Sequence, residues 1–328
     1  MKCITLKNKY STEVTLSSLG ASILDIKTLD YKNELGSIVI VPKDKEKFYT
    51  STSYFGKSIG RTGGRITNGK FALNGKQYQI ISNDKNGLHG GNDGLSYKDF
   101  DTFESENNEA YLCEFKYFSK DLESGYPGNL NVSVLYKLYK NQNKLDIVYN
   151  GECDQDTLLN LSNHSYFNLN VNSGKGILYH TLYINASKME KLENMLPKGI
   201  YNCEEKYSFK KPHKIGDYLF DKEIIDSANG YDFPYIFDDN NGNKIEFYDD
   251  VSKRKLIVNT TYPVVVVYTC NYCDDLIINN DRKIKPYDAV CLECMYHPNT
   301  INSDFLSEKK DVLKKGKIYN EVISFSFE

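Results

Sequence analysis

Apolar and polar residues alternate with a period of two through much of this chain. Leu130, Val132, Val134, Tyr136 and Leu138 alternate with Asn131, Ser133 and Lys137. The turn-forming Asn141-Gln142-Asn143 and a second run from Leu145 to Tyr149 follow, and together they predict a β-hairpin. Tyr111, Cys113, Phe115 and Tyr117 give another alternating face. Asp238-Asp239-Asn240-Asn241-Gly242-Asn243 divides a run over Tyr231 to Phe237 from one over Lys244 to Phe247. Helical stretches are few, and the charged segment from Asp304 to Leu313 is the expected short helix. The 27 Tyr and 16 Phe suit pleated, half-buried surfaces. The predicted class is therefore all-β, with many strands in stacked sheets that bury one face of each. A length of 328 residues alone suggests about two domains, but no shift in composition marks a linker and no internal repeat is found. All-β architectures run to this length as one unit.

A net charge of −3 with scattered lysines gives no electrostatic footprint for nucleic acid. The segment Met1 to Tyr10 lacks the apolar core of a secretory signal, and the longest apolar run, Val264 to Tyr268, is too short to span a bilayer. A soluble, cytoplasmic protein with no membrane partner is expected. Its eight cysteines then read as reduced thiols, and the sequon Asn163-His164-Ser165 as a chance match.

Candidate chemistry centres on Asn163-His164-Ser165-Tyr166-Phe167-Asn168-Leu169, which sets an imidazole among small polar groups and rings directly after Leu158-Leu159-Asn160-Leu161. Imidazole is the side chain best suited to proton transfer near neutral pH. Two of the four arginines, Arg61 and Arg65, fall within one glycine-rich stretch, Gly56 to Ile66. Gly56-Lys57-Ser58 mimics the end of a phosphate loop, but Ser51 stands where the first glycine belongs and no strand-loop-helix context follows. A turn that lets Arg65 approach a ligand closely fits better. His89 lies between glycines in Asn86-Gly87-Leu88-His89-Gly90-Gly91, at a sharp bend, and Gly125-Tyr126-Pro127-Gly128 is a further turn. Gly230-Tyr231-Asp232 sets a carboxylate beside an aromatic. Glu293 sits in an apolar run from Ala289, where a carboxylate is expensive without partners or a task. His89, His164, Asp232, Glu293 and Arg65 supply an acid, a base and polar contacts but no obvious nucleophile, the inventory for moving protons on a hydroxylated substrate.

With these residues in place, the chain resembles the aldose 1-epimerase, or galactose mutarotase, family. The matching blocks are Gly60-Arg61 with Arg65-Ile66, Leu88 to Gly91, Gly125 to Gly128, Asn163 to Leu169, Gly230 to Asp232 and Cys291-Leu292-Glu293, in the family's order over most of the chain. The resemblance implies one large β-sandwich domain over residues 1–328, with a free aldohexose or aldopentose in an open cleft on one sheet. It implies that Glu293 takes the proton from the anomeric hydroxyl and His164 gives one to the ring oxygen. Arg65, His89 and Asp232 would contact the sugar, and no cofactor or metal would be needed. The pair should carry opposite proton loads, a carboxylate base and an imidazolium acid. Val266, Met295, Gly64 and Phe233 depart from the family pattern, so the preferred hydroxyl pattern is expected to differ from galactose. A sugar sensor on the same fold would keep the contacts without the chemistry, and a hexose-6-phosphate epimerase would need a phosphate clamp that four arginines supply poorly. Cys270-x-x-Cys273 and Cys291-x-x-Cys294 have the spacing of a zinc site. Residues three apart on a strand point to opposite faces, however, which favours metal-free thiols.

Overall fold

The computed structural model describes residues 1–82, 84–238 and 242–328. Two large antiparallel sheets face each other. The nine-stranded sheet runs His213–Lys214, Thr181–Ile184, Ile245–Tyr248, Lys255–Thr260, Ile318–Phe327, Lys144–Cys153, Leu130–Tyr139, Ala110–Ser119 and Asp101–Glu106. The seven-stranded sheet runs Leu196–Asn202, Lys188–Glu193, Asp232–Ile236, Val264–Tyr268, Val290–Met295, Tyr166–Phe167 and Val39–Ile40. A four-stranded sheet, Cys3–Lys7 to Leu35–Ser37, opens the chain. The predicted hairpin is present, with Leu130–Tyr139 paired to Lys144–Cys153 through Leu135 opposite Val148.

Alternation decides which side chains meet between the sheets. Val265, Val267, Phe233, Tyr235, Leu292 and Cys294 of the seven-stranded sheet share one buried cluster with Leu182, Phe247, Val258, Ile147 and Phe325 of the nine-stranded sheet. Each fully buried apolar side chain of this kind contributes roughly 1.5–3 kcal/mol. The residues between them, Asp232, Pro234, Val266, Tyr268 and Glu293, must face the other way. That outer face holds the site.

One expectation needs correction. Residues 304–313 form turns and a two-residue strand, Val312–Leu313, rather than a helix. The charges there are not one solvated face, because Asp311 is buried and Lys309 folds back to donate to the Thr300 carbonyl at 2.8 Å. The α-helices among the described residues are Lys45–Thr50 and Lys222–Ala228, each begun by an aspartate, Asp44 or Asp221, that accepts from backbone N–H groups of the first turn. The runs either side of residues 238–243 enter opposite sheets, as Asp232–Ile236 and Ile245–Tyr248. Asp239, Asn240 and Asn241 of that divider lie outside the described residues.

Candidate active site

Strand register sets the floor of the site. Asp232 lies opposite Tyr268 and Pro234 opposite Val266, and Val266 is opposite Glu293. Tyr166 pairs with Cys291 on the far side of that strand. His164 occupies the short link between Ser162–Asn163, which pairs with Ser58–Ile59, and Tyr166–Phe167. Its N–H donates to the Lys57 carbonyl and its carbonyl accepts from Gly56 N–H, both at 2.9 Å. Asn163 braces the link by accepting from Ser165 Oγ at 2.6 Å and donating to the Gly56 carbonyl at 3.0 Å. The small polar neighbours read in the sequence are thus what fixes the imidazole.

Arg65 and His89 arrive on two loops that bind each other. His89 N–H donates to the Gly64 carbonyl at 3.0 Å, and Gly64 N–H donates to His89 Nδ1 at 3.1 Å. Gly64 is left-handed (φ +73°), and a Cβ there would lie 2.8 Å from Pro298 Cβ. Gly90 is tighter still: its Cβ would fall 1.8 Å from the Gly60 carbonyl oxygen. The glycines therefore allow loop contact as much as ligand approach. Because Nδ1 of His89 accepts, Nε2 carries the proton and acts as a donor.

These elements enclose a cavity of about 300 Å³ lined by Arg65, His89, His164, Asp232 and Glu293, and also by Tyr54, Tyr268, Pro234, Val266 and Asp274. All five residues singled out from the sequence meet there. His164 Nε2 lies 3.4 Å from Glu293 Oε1. Glu293 Oε2 and His164 Nδ1 are buried with no hydrogen-bond partner inside the protein. Such orphaned polar atoms are costly, and since both residues line the cavity a ligand entering it can satisfy them. Rings hem in the imidazoles, with Tyr54 4.8 Å from His89 and Tyr166 5.1 Å from His164.

Electrostatics departs from the opposite proton loads expected above. Burial pushes the Glu293 carboxyl well above its usual range, with Asp232 adding to the rise and Arg65 opposing it. Burial also lowers His164 to about 4. Asp232 is raised to about 6 by burial, against the pull of Arg65. A lone charge on either partner is therefore disfavoured, and the pair is most stable at net zero with one shared proton. Carboxylic acid with neutral imidazole, and carboxylate with imidazolium, are two arrangements of that same state.

His89, His164 and Glu293 have ligand atoms within 4.8 Å of one another, close enough to suggest a metal. The surroundings are wrong for one. A metal-bound histidine donates through its second nitrogen to a carboxylate or carbonyl, whereas Nδ1 of His89 accepts from an amide and Nδ1 of His164 meets nothing. Of the two cysteine motifs, Cys270, Cys273 and Cys291 gather at the second core cluster while Cys294 points into the main one, so the four thiols do not form one site. Cys270 and Cys273 do differ from the strand geometry expected of them. They lie past the end of Val264–Tyr268, and their sulfurs are 3.4 Å apart.

The arginine pair divides its labour. Arg61 is buried, and its guanidinium donates to the carbonyls of Ser119, Lys120, Pro127 and Gly128 and to the hydroxyls of Ser119 and Thr157, stapling the Gly125–Gly128 turn. Arg65 alone reaches the cavity. Of the four departures from the family pattern, Val266 and Gly64 line the cavity, while Phe233 packs into the main core against Tyr207 and Met295 is buried beside Gly63. Only the first two can alter contacts within the cavity directly.

A second histidine–glutamate pair lies nearby and was not legible in the sequence. Met189 of Lys188–Glu193 enters the main core, so its neighbour Glu190 takes the outer face. There Glu190 is wholly buried and its Oε1 meets His297 Nδ1 at 2.5 Å. Neither residue lines the cavity. Pro298, which follows His297, does, and it packs on Gly64.

The sequence and the fold match known proteins over nearly the whole chain. The chain belongs to the aldose 1-epimerase family, whose model matches residues 2–326. It is 31% identical to an aldose 1-epimerase from Haemophilus influenzae, over 99% of this chain and 95% of that one. Its fold resembles an aldose epimerase homologue from C. elegans, with TM-score 0.90 and 24% identity over 100% of this chain and 98% of the other. It also resembles a galactose 1-epimerase from Lactobacillus acidophilus, with TM-score 0.87 and 26% identity over 99% and 94% of the two chains. The fold is thus the large mutarotase-type β-sandwich, and the protein is an isomerase of the mutarotase class. Among the described residues no helix is long and apolar enough to cross a membrane.

Proposed function

We propose that the cavity interconverts the α and β anomers of a free aldose, with Glu293 as base and His164 as acid. The carrying observation is the 3.4 Å approach of His164 Nε2 to Glu293 Oε1 on the cavity floor. In the reacting form Glu293 takes the proton of the anomeric hydroxyl while His164 gives its proton to the ring oxygen. The ring opens, the C1–C2 bond rotates, and closure on the other carbonyl face inverts the centre. Opening leaves a carboxylic acid and a neutral imidazole, the arrangement that burial favours, so the pair is set to return both protons on closure. Each proton-transfer group contributes ~10²–10⁴-fold, enough for a reaction that already proceeds in water.

Arg65, Asp232 and the Nε2–H of His89 serve as sugar contacts, and residues 1–328 work as one domain. Arg65 is the one Lys or Arg among the described residues lining the cavity, where Asp232, Asp274 and Glu293 are acidic. That balance supports a neutral sugar over a sugar phosphate. Galactose, which the Lactobacillus acidophilus relative is named for, is the first sugar to try, with aldopentoses beside it because Val266 offers no hydrogen bond opposite Glu293. Nucleic acid is no partner on this reading, and the cysteine usage of the sequence supports a cytoplasmic setting. Polarimetry across α-galactose, α-glucose, α-xylose, L-arabinose and glucose 6-phosphate tests the proposal. Accelerated mutarotation of at least one free sugar is expected without added metal. Background rates with retained sugar binding would instead make the protein a sensor.

A further inference from the structure

The loop leaving Val264–Tyr268 carries chemistry that the proton relay does not use. At Cys270 the backbone turns left-handed (φ +52°), which swings the next residues back and sets Sγ of Cys273 3.4 Å from Sγ of Cys270. Cys270 is buried in the smaller core cluster, while Cys273 is partly exposed and lines the sugar cavity with Tyr272 and Asp274. The loop is well tied. Tyr268 hydroxyl donates to the Tyr272 carbonyl at 3.2 Å and accepts from Tyr272 N–H at 3.1 Å. Asp274 accepts from the hydroxyls of Ser51 and Ser53 at 2.8 and 2.9 Å. Two thiols are therefore held in contact, one sealed in the core and one open to whatever enters the cavity.

We propose that Cys270 and Cys273 are a site of reversible oxidation in the cavity wall, closed to a disulfide by a hydroperoxide, and that closure weakens sugar binding. The Cys273 thiolate attacks the peroxide: an S–O bond forms, the O–O bond breaks, and the departing oxygen takes a proton to leave as an alcohol or water. Cys270 sulfur then attacks the sulfenic sulfur. The S–S bond forms, the S–O bond breaks, and hydroxide leaves as water with the Cys270 proton. Two thiols thus give up two electrons and two protons to one hydroperoxide. The order follows from exposure, and Cys270 is held protonated, first by its hydrogen-bonded neighbour Cys273 and then by burial. A disulfide needs its sulfurs at ~2.05 Å, so they must close by a little over an ångström. Cys270 is packed and stays, so Cys273 moves against the ties of Tyr272 and Asp274 and reshapes the stretch of cavity wall that these residues line.

The effect on sugar rests on the mutarotase reading; the bond itself does not. The test treats the full chain with hydrogen peroxide, in a Cys3→Ser background because Cys3 is exposed. Peptide mapping follows the bond, and calorimetric sugar affinity with mutarotation rates follows the effect, before and after dithiothreitol. The expected result is loss of two hydrogens mapped to a 270–273 cross-link, several-fold weaker sugar binding with kcat kept, and full reversal by the reductant. In Cys270→Ser, a sulfenic acid trappable by dimedone should appear at Cys273; if that variant fails to fold, mapping of the Cys3→Ser protein still decides. Oxidation that spares this pair, or forms the bond without changing affinity, overturns the proposal. A protein that forms the bond yet turns over no sugar in either state would refute the mutarotase reading alone.

Discussion

Two histidine–glutamate pairs flank the same stretch of sheet, and they differ in access to the cavity more than in composition. His164 and Glu293 stand 3.4 Å apart at the cavity floor, each with an unpartnered polar atom. His297 and Glu190 are in closer contact, at 2.5 Å, and are walled off from the cavity. A loose pair open to a ligand has protons to exchange with it. A tight pair away from the cavity, even with Glu190 Oε2 unpartnered, chiefly holds its own strands together, and it fixes the segment that seats Pro298 against the Arg65 loop. On the proposed mechanism, the same chemistry serves as a relay in one place and as a clamp in the other.

Substitution should separate the two roles. Glu293→Gln is expected to cost at least ~10³-fold in kcat, since the amide keeps shape but accepts no proton, while melting temperature holds or rises with a buried ionisable group removed. Stopped polarimetry beside a thermal melt reads both. Glu190→Gln should do the reverse: about 2–3 kcal/mol less stable in a urea titration, from loss of a buried charge-assisted hydrogen bond, with kcat nearly unchanged in the folded fraction. If Glu190→Gln stops turnover in folded protein, the clamp is a second relay. A smaller effect, on binding, is expected from Arg65→Ala, with KM raised about 10- to 100-fold through loss of a charged hydrogen bond to sugar.

The pH profile sharpens the contrast further. Gain of a proton by the net-zero relay produces imidazolium beside carboxylic acid, and His164 resists this down to about 4 because burial penalises the charge. The acid limb of kcat/KM should therefore fall near pH 4, not at the ordinary imidazole value of about 6.5. On the alkaline side the limb belongs to Glu293, which burial raises. An acid limb at 6 or above would mean that the imidazole is solvated when it works.

Much of this was legible in the chain itself. Period-two patterning marked the long strands, and the five site residues stood out because each broke a local pattern: a carboxylate in an apolar run, a histidine between glycines, an arginine in a glycine-rich turn. Other features were not, for physical reasons. Lys45–Thr50 and Lys222–Ala228 are too short for a helical stripe and rest on their aspartate caps. Pro234, Val266 and Tyr268 join the site through register, which no local pattern encodes. Glu190 and His297 are 107 positions apart and meet only across the sheet. Phe233 departs from the family pattern and is read from the sequence as one of four changes bearing on the sugar, yet strand alternation turns it into the core.

That alternation bears on how such an enzyme changes over generations. Along Asp232–Ile236 and Val264–Tyr268, positions 233, 235, 265 and 267 are committed to the inter-sheet core, whereas 232, 234, 266 and 268 face the cavity. Mutations in the second set alter what is recognised with little penalty to folding, and mutations in the first alter folding with little effect on recognition. Substrate preference can then drift one letter at a time, along every other residue of two adjacent strands, while the scaffold beneath stays under separate selection.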